Sequence, residues 1–173
     1  TGFDIAADEA GFPLKNHIKA FQFAKEHQIF CTAHAGEAKG PESVWETLNY
    51  LYPTRIGHGV RSVEDYTLIE FLKQKGIHLE VCPTSNIQTN VFDVIENHSV
   101  NTIYNSGVSM SINTDARTTT PVTLTDEYAL MEKVFNWSRV HFLRCNLDAI
   151  EHAFINNELK EVLREKIRSA YLF

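Results

Sequence analysis

The chain has 173 residues with a net charge of −6, 43% hydrophobic and 22% charged residues, an ordinary balance for a globular protein with a sizeable core. The negative balance, with no run of Lys and Arg, argues against a nucleic-acid surface, and no apolar stretch approaches the roughly 18 residues of a membrane span. Three cysteines, Cys31, Cys82 and Cys145, are odd in number and far apart, which reads as reduced thiols of a cytoplasmic protein rather than a disulfide framework or a cysteine metal site.

The opening, Thr1 to Glu9, lacks an initiator Met and runs from apolar residues into acids. It reads as the start of a buried strand from which an upstream segment has been removed. Beyond it, hydrophobic pattern and punctuation predict strands at Gly2–Ala6, Ile29–Ala33, Arg55–Gly57, Ile77–Cys82 and Val108–Asn113, short and apolar as in a parallel sheet covered on both faces. Helices are predicted between them. Leu14–His27 carries Ile18, Phe21 and Ala24 at helical spacing, and Pro41–Leu51 opens with Pro in its first turn, where a missing N–H is tolerated. Ser62–Lys75 starts on a Ser-Val-Glu-Asp cap and stops at Gly76, and Ser99–Ser106 stops at Gly107. Leu124–Trp137, Leu147–Ile155 and Asn157–Tyr171 follow the last strand, the final one capped by Asn157 and Glu158.

Strands alternating with helices imply a parallel α/β architecture. No Gly-rich phosphate turn follows a strand, as a dinucleotide-binding sheet would require. The polar residues gather after the strands instead, where a (βα)₈ barrel builds its active site. Five strands cannot close that barrel. With no repeats, low-complexity tracts or linkers, residues 1–173 read as one incomplete barrel unit.

Four strand ends carry the chemistry. His34-Ala35-Gly36-Glu37 sets an imidazole three residues from a carboxylate; the first can ligate zinc and the second can give a proton to a ring nitrogen. Arg55-Ile56-Gly57-His58-Gly59 offers a second imidazole between glycines that let the backbone approach a ligand. Cys82-Pro83-Thr84-Ser85-Asn86 offers hydroxyl and amide groups but is by itself a turn signal. Ser111-Ile112-Asn113-Thr114-Asp115 ends a strand on an acid that needs a partner or a cation. Alone, each has a plainer reading as a cap or a solvated loop. Together, two histidines, a glutamate and an aspartate at successive strand ends can bind a divalent metal, activate water and handle protons.

These four motifs, in this order and spacing, resemble the adenosine deaminase family, and Phe3-Asp4-Ile5-Ala6-Ala7-Asp8-Glu9 resembles the family's acidic strand end upstream of them. The resemblance covers essentially the whole chain. It implies about strands four to eight of a TIM-type (βα)₈ barrel of the metal-dependent hydrolase kind, with one catalytic Zn²⁺. It makes His34 and Asp115 zinc ligands and implies two further histidines from a His-x-His motif, which this sequence does not contain. It casts Glu37 as the acid that protonates purine N1, His58 as the base or electrostatic partner beside the attacking hydroxide, and Asp115 as the group holding metal and hydroxide. Ala7, Asp8, Ser85 and Ala116 become substrate-side contacts. Two departures stand out: Ala7 replaces the family's common Gly, and Ala116 replaces a second aspartate that binds purine N7.

The implied activity is hydrolysis of adenosine or deoxyadenosine to the inosine product and ammonia in purine salvage. Adenine or another aminopurine is the alternative substrate, and a non-catalytic half barrel that self-associates through its sheet edges is the alternative to an enzyme. The cytidine-deaminase pattern, His-x-Glu with Pro-Cys-x-x-Cys, does not fit: two residues separate His34 from Glu37, and Cys82 precedes Pro83. His17, His27, His78, His98, His141 and His152 read as structural, as do Trp45 and Trp137.

Overall fold

The computed structural model describes residues 2–172. Five strands, β1 (Gly2–Ile5), β2 (Phe30–Ala35), β3 (Arg55–His58), β4 (His78–Val81) and β5 (Met110–Ile112), form one all-parallel sheet in the order of the sequence. Helices α1 (Ile18–Glu26), α2 (Pro41–Leu51) and α3 (Tyr66–Lys75) connect the first four strands. A short α4 (Pro83–Gln88) and α5 (Val100–Ser106) lead from β4 to β5, and α6 (Leu124–Phe135), α7 (Arg139–Glu151) and α8 (Asn157–Tyr171) follow. The strand-helix alternation and the parallel sheet are those expected from the sequence.

Burial explains the strand composition. Ala33, Ala35, Ile56, Leu79, Val81 and Met110 are all fully buried, each large apolar side chain contributing about 1.5–3 kcal/mol. Helices close over the sheet with apolar stripes: α2 buries Val44, Thr47, Leu48 and Leu51, the i, i+3, i+4, i+7 pattern of one face. Phe21 and Ala24 of α1 pack with Cys31, Ala33 and Leu51 in a smaller second cluster. Trp137 lies in the main core, and all three cysteines are buried and unpaired. No helix among the described residues is long and apolar enough to cross a membrane.

Several boundaries differ from expectation. β1 is not buried: Phe3 is 37% exposed, because the strand lies at the sheet edge with β2 as its neighbour. His34 sits inside β2 rather than after it, and the hydrogen-bonded ladder to β3 carries the strand two residues further. The cap of α3 is Asp65, which accepts from the N–H groups of Thr67 and Leu68, while Ser62 lies buried in a preceding 3₁₀ turn. The helix expected at Leu147–Ile155 begins eight residues earlier at Arg139, where Ser138 and His141 form a capping box. Asn156, not Asn157, caps α8. The Cys82-to-Asn86 run is not a turn but the start of α4, with Pro83 in its first turn. Gly76 and Gly107 end their helices in the left-handed conformation as expected.

Candidate active site

The carboxyl ends of β2 to β5 converge on a cleft of about 390 Å³ lined by His34, His58, Cys82 and Asp115. A second cleft of about 290 Å³ lies at the end of β1, lined by Ala7, Asp8, Phe12 and Leu14 among others. His34 lines both.

His58 is at the centre. It is 1% exposed; its Nε2 lies 3.6 Å from Glu37 Oε2 and 3.9 Å from Asp115 Oδ2, and its ring centroid is 4.8 Å from that of His34. Burial lowers its pKa, against the opposing pull of Glu37, so the imidazole is held neutral. Glu37 Oε1 accepts from Asn86 Nδ2 at 2.9 Å and from the Thr89 hydroxyl at 3.2 Å. Asp115 accepts on both oxygens, from the Ser85 hydroxyl at 2.6 Å and the Ala116 N–H at 2.6 Å. Burial works to raise the Asp115 pKa, but the Ser85 and Ala116 donors and the neighbouring His58 outweigh it, and the group stays below its ordinary value. The carboxylate is therefore ionised and already oriented.

The backbone is bent to this arrangement. Ala7, His58 and Asp115 have φ of 116°, 63° and 61°, left-handed conformations that cost an ordinary residue on the order of 1 kcal/mol and cluster at functional sites. Gly57 also makes room for the neighbouring imidazole, since a Cβ there would lie 2.7 Å from His34 Nδ1.

Two positions suit a metal. His34 Nδ1 is buried without a hydrogen-bond partner, and Asp115 is an ionised carboxylate on the same cleft; imidazole and carboxylate are ordinary zinc donors. Donor atoms of His58, Cys82 and Asp115 also lie within 4.8 Å of one another. Cys82 is the weak member, since burial and the surrounding carboxylates push its thiol well above its usual range, whereas a metal needs the thiolate. The residues fit part of a zinc ligand set, with His34 and Asp115 as the donors.

The structure thus brings together Glu37, His58, Asp115, His34 and Ser85. Ala116 is exposed at the rim and contributes its backbone N–H. Asp8 lines the second cleft, but its Oδ1 closes its own turn by accepting from Ala10 and Gly11.

Four supporting residues are not among the site residues expected from the sequence. Glu9 accepts from the N–H groups of Gly36, Glu37 and Lys39 at 2.7, 3.1 and 3.0 Å and from the Ser43 hydroxyl, holding the loop that carries Glu37. Asn86 donates to Glu37 and lies 3.1 Å from His58 Nδ1. His98, expected to be structural, contacts Asn86. Glu127, fully buried on α6, accepts from the Thr84 N–H at 3.2 Å and so holds the start of α4. For Glu9 and Asn86 the signal was their place inside the strand-end motifs; for Glu127, 43 residues from Thr84, no sequence signal pointed to the contact.

Parallel strands that carry imidazoles and carboxylates to one end of a sheet give an α/β fold of the metal-dependent hydrolase kind. The family model described as adenosine deaminase matches residues 1–170, and the chain belongs to the adenosine deaminase family. It is 39% identical over 170 residues to an adenosine deaminase of Salmonella dublin, covering 98% of this chain and 51% of that protein. Among solved structures it resembles an adenine deaminase from Arthrobacter aurescens (TM-score 0.93, 25% identity, 98% of this chain and 52% of that one). The N6-methyl-AMP deaminase from Arabidopsis thaliana is also similar (TM-score 0.86, 28% identity, 98% and 49%). The chain spans about half the length of these relatives.

Proposed function

We propose that the protein carrying this chain is a zinc-dependent deaminase that hydrolyses adenosine or deoxyadenosine to the inosine product and ammonia. The observation that carries this is the convergence of Glu37, His58 and Asp115, with His58 Nε2 within 3.6 and 3.9 Å of the two carboxylates. On this reading His34 and Asp115 hold the metal together with a His-x-His pair that these 173 residues do not supply. A bound zinc would lower the pKa of a coordinated water to about 7.

The remaining steps belong to the chain's own side chains. Glu37, steadied by Asn86 and Thr89, gives a proton to purine N1, which makes C6 electrophilic. Oxygen from water adds at C6, the C6–N6 bond breaks, and ammonia leaves. His58 stands beside the attacking oxygen as base or electrostatic partner. Asp115, pinned by Ser85 and Ala116, orients that oxygen. The second cleft, with Ala7 and Asp8 in its lining, takes the nucleoside on this reading. Absorbance loss on adenosine with zinc supplied, abolished in Glu37→Gln, is the test; an active Glu37→Gln protein would refute the assignment.

A second substrate reading is favoured by Ala116, which has no acid to offer purine N7, and by the similarity to an adenine deaminase. Turnover on adenine with none on adenosine would establish it. We further propose that the 173-residue chain alone has little activity and self-associates through β1 and β5, the outer strands of the sheet. Solution scattering of a monomer, with activity matching a longer chain, would oppose this.

A further inference from the structure

His98 touches neither cleft, yet it sits at the end of a hydrogen-bonded line that reaches both proton-handling groups. The line starts at a donor whose direction is not adjustable. The backbone N–H of Val100 donates to His98 Nδ1 at 3.0 Å, so that nitrogen presents a lone pair. Burial lowers the His98 pKa to about 3, the ring is neutral, and its one proton must be on Nε2. Nε2 lies 3.2 Å from Asn86 Oδ1 and donates to it.

That bond sets which way the amide faces. With Oδ1 turned to His98, Asn86 Nδ2 points the other way, 3.1 Å from His58 Nδ1 and 2.9 Å from Glu37 Oε1. An amide nitrogen donates and does not accept, so its two hydrogens serve those two atoms. His58 Nδ1 is then an acceptor and the His58 proton is on Nε2, the nitrogen facing Glu37 Oε2 and Asp115 Oδ2. On Glu37, Oε1 is occupied as an acceptor and Oε2 is left to carry a transferable proton. Water does not compete along this line, because Asn86, His58 and His98 are 0%, 1% and 4% exposed. The Asn86 carbonyl, accepting from Val91 and Phe92, and the Phe92 ring, 4.6 Å from His98, hold it in place.

We propose that His98 is a positioning residue that, through the Asn86 amide, fixes His58 as the Nε2–H tautomer and reserves Oε2 of Glu37 for proton transfer. The tautomer assignment is independent of substrate; its effect on turnover rests on the deaminase reading, within which an Nε2–H His58 acts on the attacking oxygen as hydrogen-bond donor and electrostatic partner rather than as base.

Nitrogen-15 spectra of the histidine-labelled, metal-free protein test it directly. His58 and His98 are expected as single Nε2–H tautomers. In Asn86→Asp, whose carboxylate can only accept, His58 is expected to change to Nδ1–H. His98→Gln can still donate to Asn86 Oδ1 and should keep the His58 tautomer, with kcat within about threefold of the unaltered protein. His98→Leu should lower kcat about 10–100-fold, the range for lost supporting hydrogen bonds, with KM within about twofold. An Nδ1–H His58 in the unaltered protein, an unchanged tautomer in Asn86→Asp, or undiminished kcat in His98→Leu would overturn the proposal. Should Asn86→Asp fail to fold, the unaltered protein's spectrum decides alone. The spectra need no substrate, so a protein inactive on adenosine would sink the deaminase reading while leaving the tautomer readable.

Discussion

The Glu9 carboxylate accepts a 2.7 Å hydrogen bond from the Gly36 N–H, tying the end of β1 to the loop that follows β2. The same carboxylate takes the N–H groups of Glu37 and Lys39 and the Ser43 hydroxyl. An ionised group that gathers several donors is worth more than one neutral bond, roughly 1.5–3 kcal/mol for each charged contact before neighbours relax. Glu9→Ala should lower stability by about 2–3 kcal/mol and reduce activity by letting Glu37 drift. Thermal unfolding and turnover measured on the same preparation check both effects, and unchanged stability would show that the loop holds itself.

Glu37→Gln preserves a carbonyl oxygen for Asn86 Nδ2 but cannot supply a proton. The expected loss in kcat is about 10²–10⁴-fold, the usual size of general acid catalysis, with circular dichroism and metal content unaltered. A loss of metal in parallel would reassign Glu37 to the ligand set.

Gly57→Ala places a methyl group 2.7 Å from His34 Nδ1, inside contact distance, so the imidazole has to shift. Displacing a ligand's support typically weakens metal affinity about 10–100-fold. Zinc titration by calorimetry is expected to show that drop, and wild-type affinity would remove His34 from the ligand set.

Acid should destabilise the fold in a defined window. Burial lowers the pKa of His78 and of His98 to about 3, from an ordinary 6.5. Both are bases kept neutral when folded, so below pH 6.5 the unfolded chain binds protons that the folded chain refuses. Stability is lost as pH falls from about 6.5 toward 3, by up to about 1.4 kcal/mol per pH unit for each histidine. Denaturant melts at pH 7 and pH 5 measure it. His78→Gln, which can keep a hydrogen bond to Ser109 or Ser111, should flatten the slope, and an equal slope in that variant would assign the loss to other groups.

Ala116→Asp returns an acid to the cleft rim without disturbing the Ala116 N–H bond to Asp115. On the nucleoside reading, KM for adenosine should fall by about tenfold, roughly 1.4 kcal/mol, the scale of one hydrogen bond to a charged group. Steady-state kinetics on adenosine and adenine side by side would show whether the gain is shared or selective.

Periodicity and punctuation in the sequence determined the parallel strand-helix order and placed the acids and imidazoles at the strand ends. A period-two or short apolar run and a Gly or Pro stop are local signals that need no partner to be read. The motifs around His34, Glu37, His58, Ser85 and Asp115 were legible for the same reason, since strand ends of one parallel sheet must meet on one side. What only the tertiary structure decided is how these groups are held. Glu9 reaches 27 residues forward to Gly36, Glu127 reaches back 43 to Thr84, and Asn86 spans 28 to His58. A hydrogen bond depends on a few tenths of an ångström and on direction. No spacing in the chain encodes that across folded distances. The exposure of β1 and the helix in the Cys82-to-Asn86 run belong here too, the first set by which strand lies beside it and the second by what Glu127 brings to the start of α4.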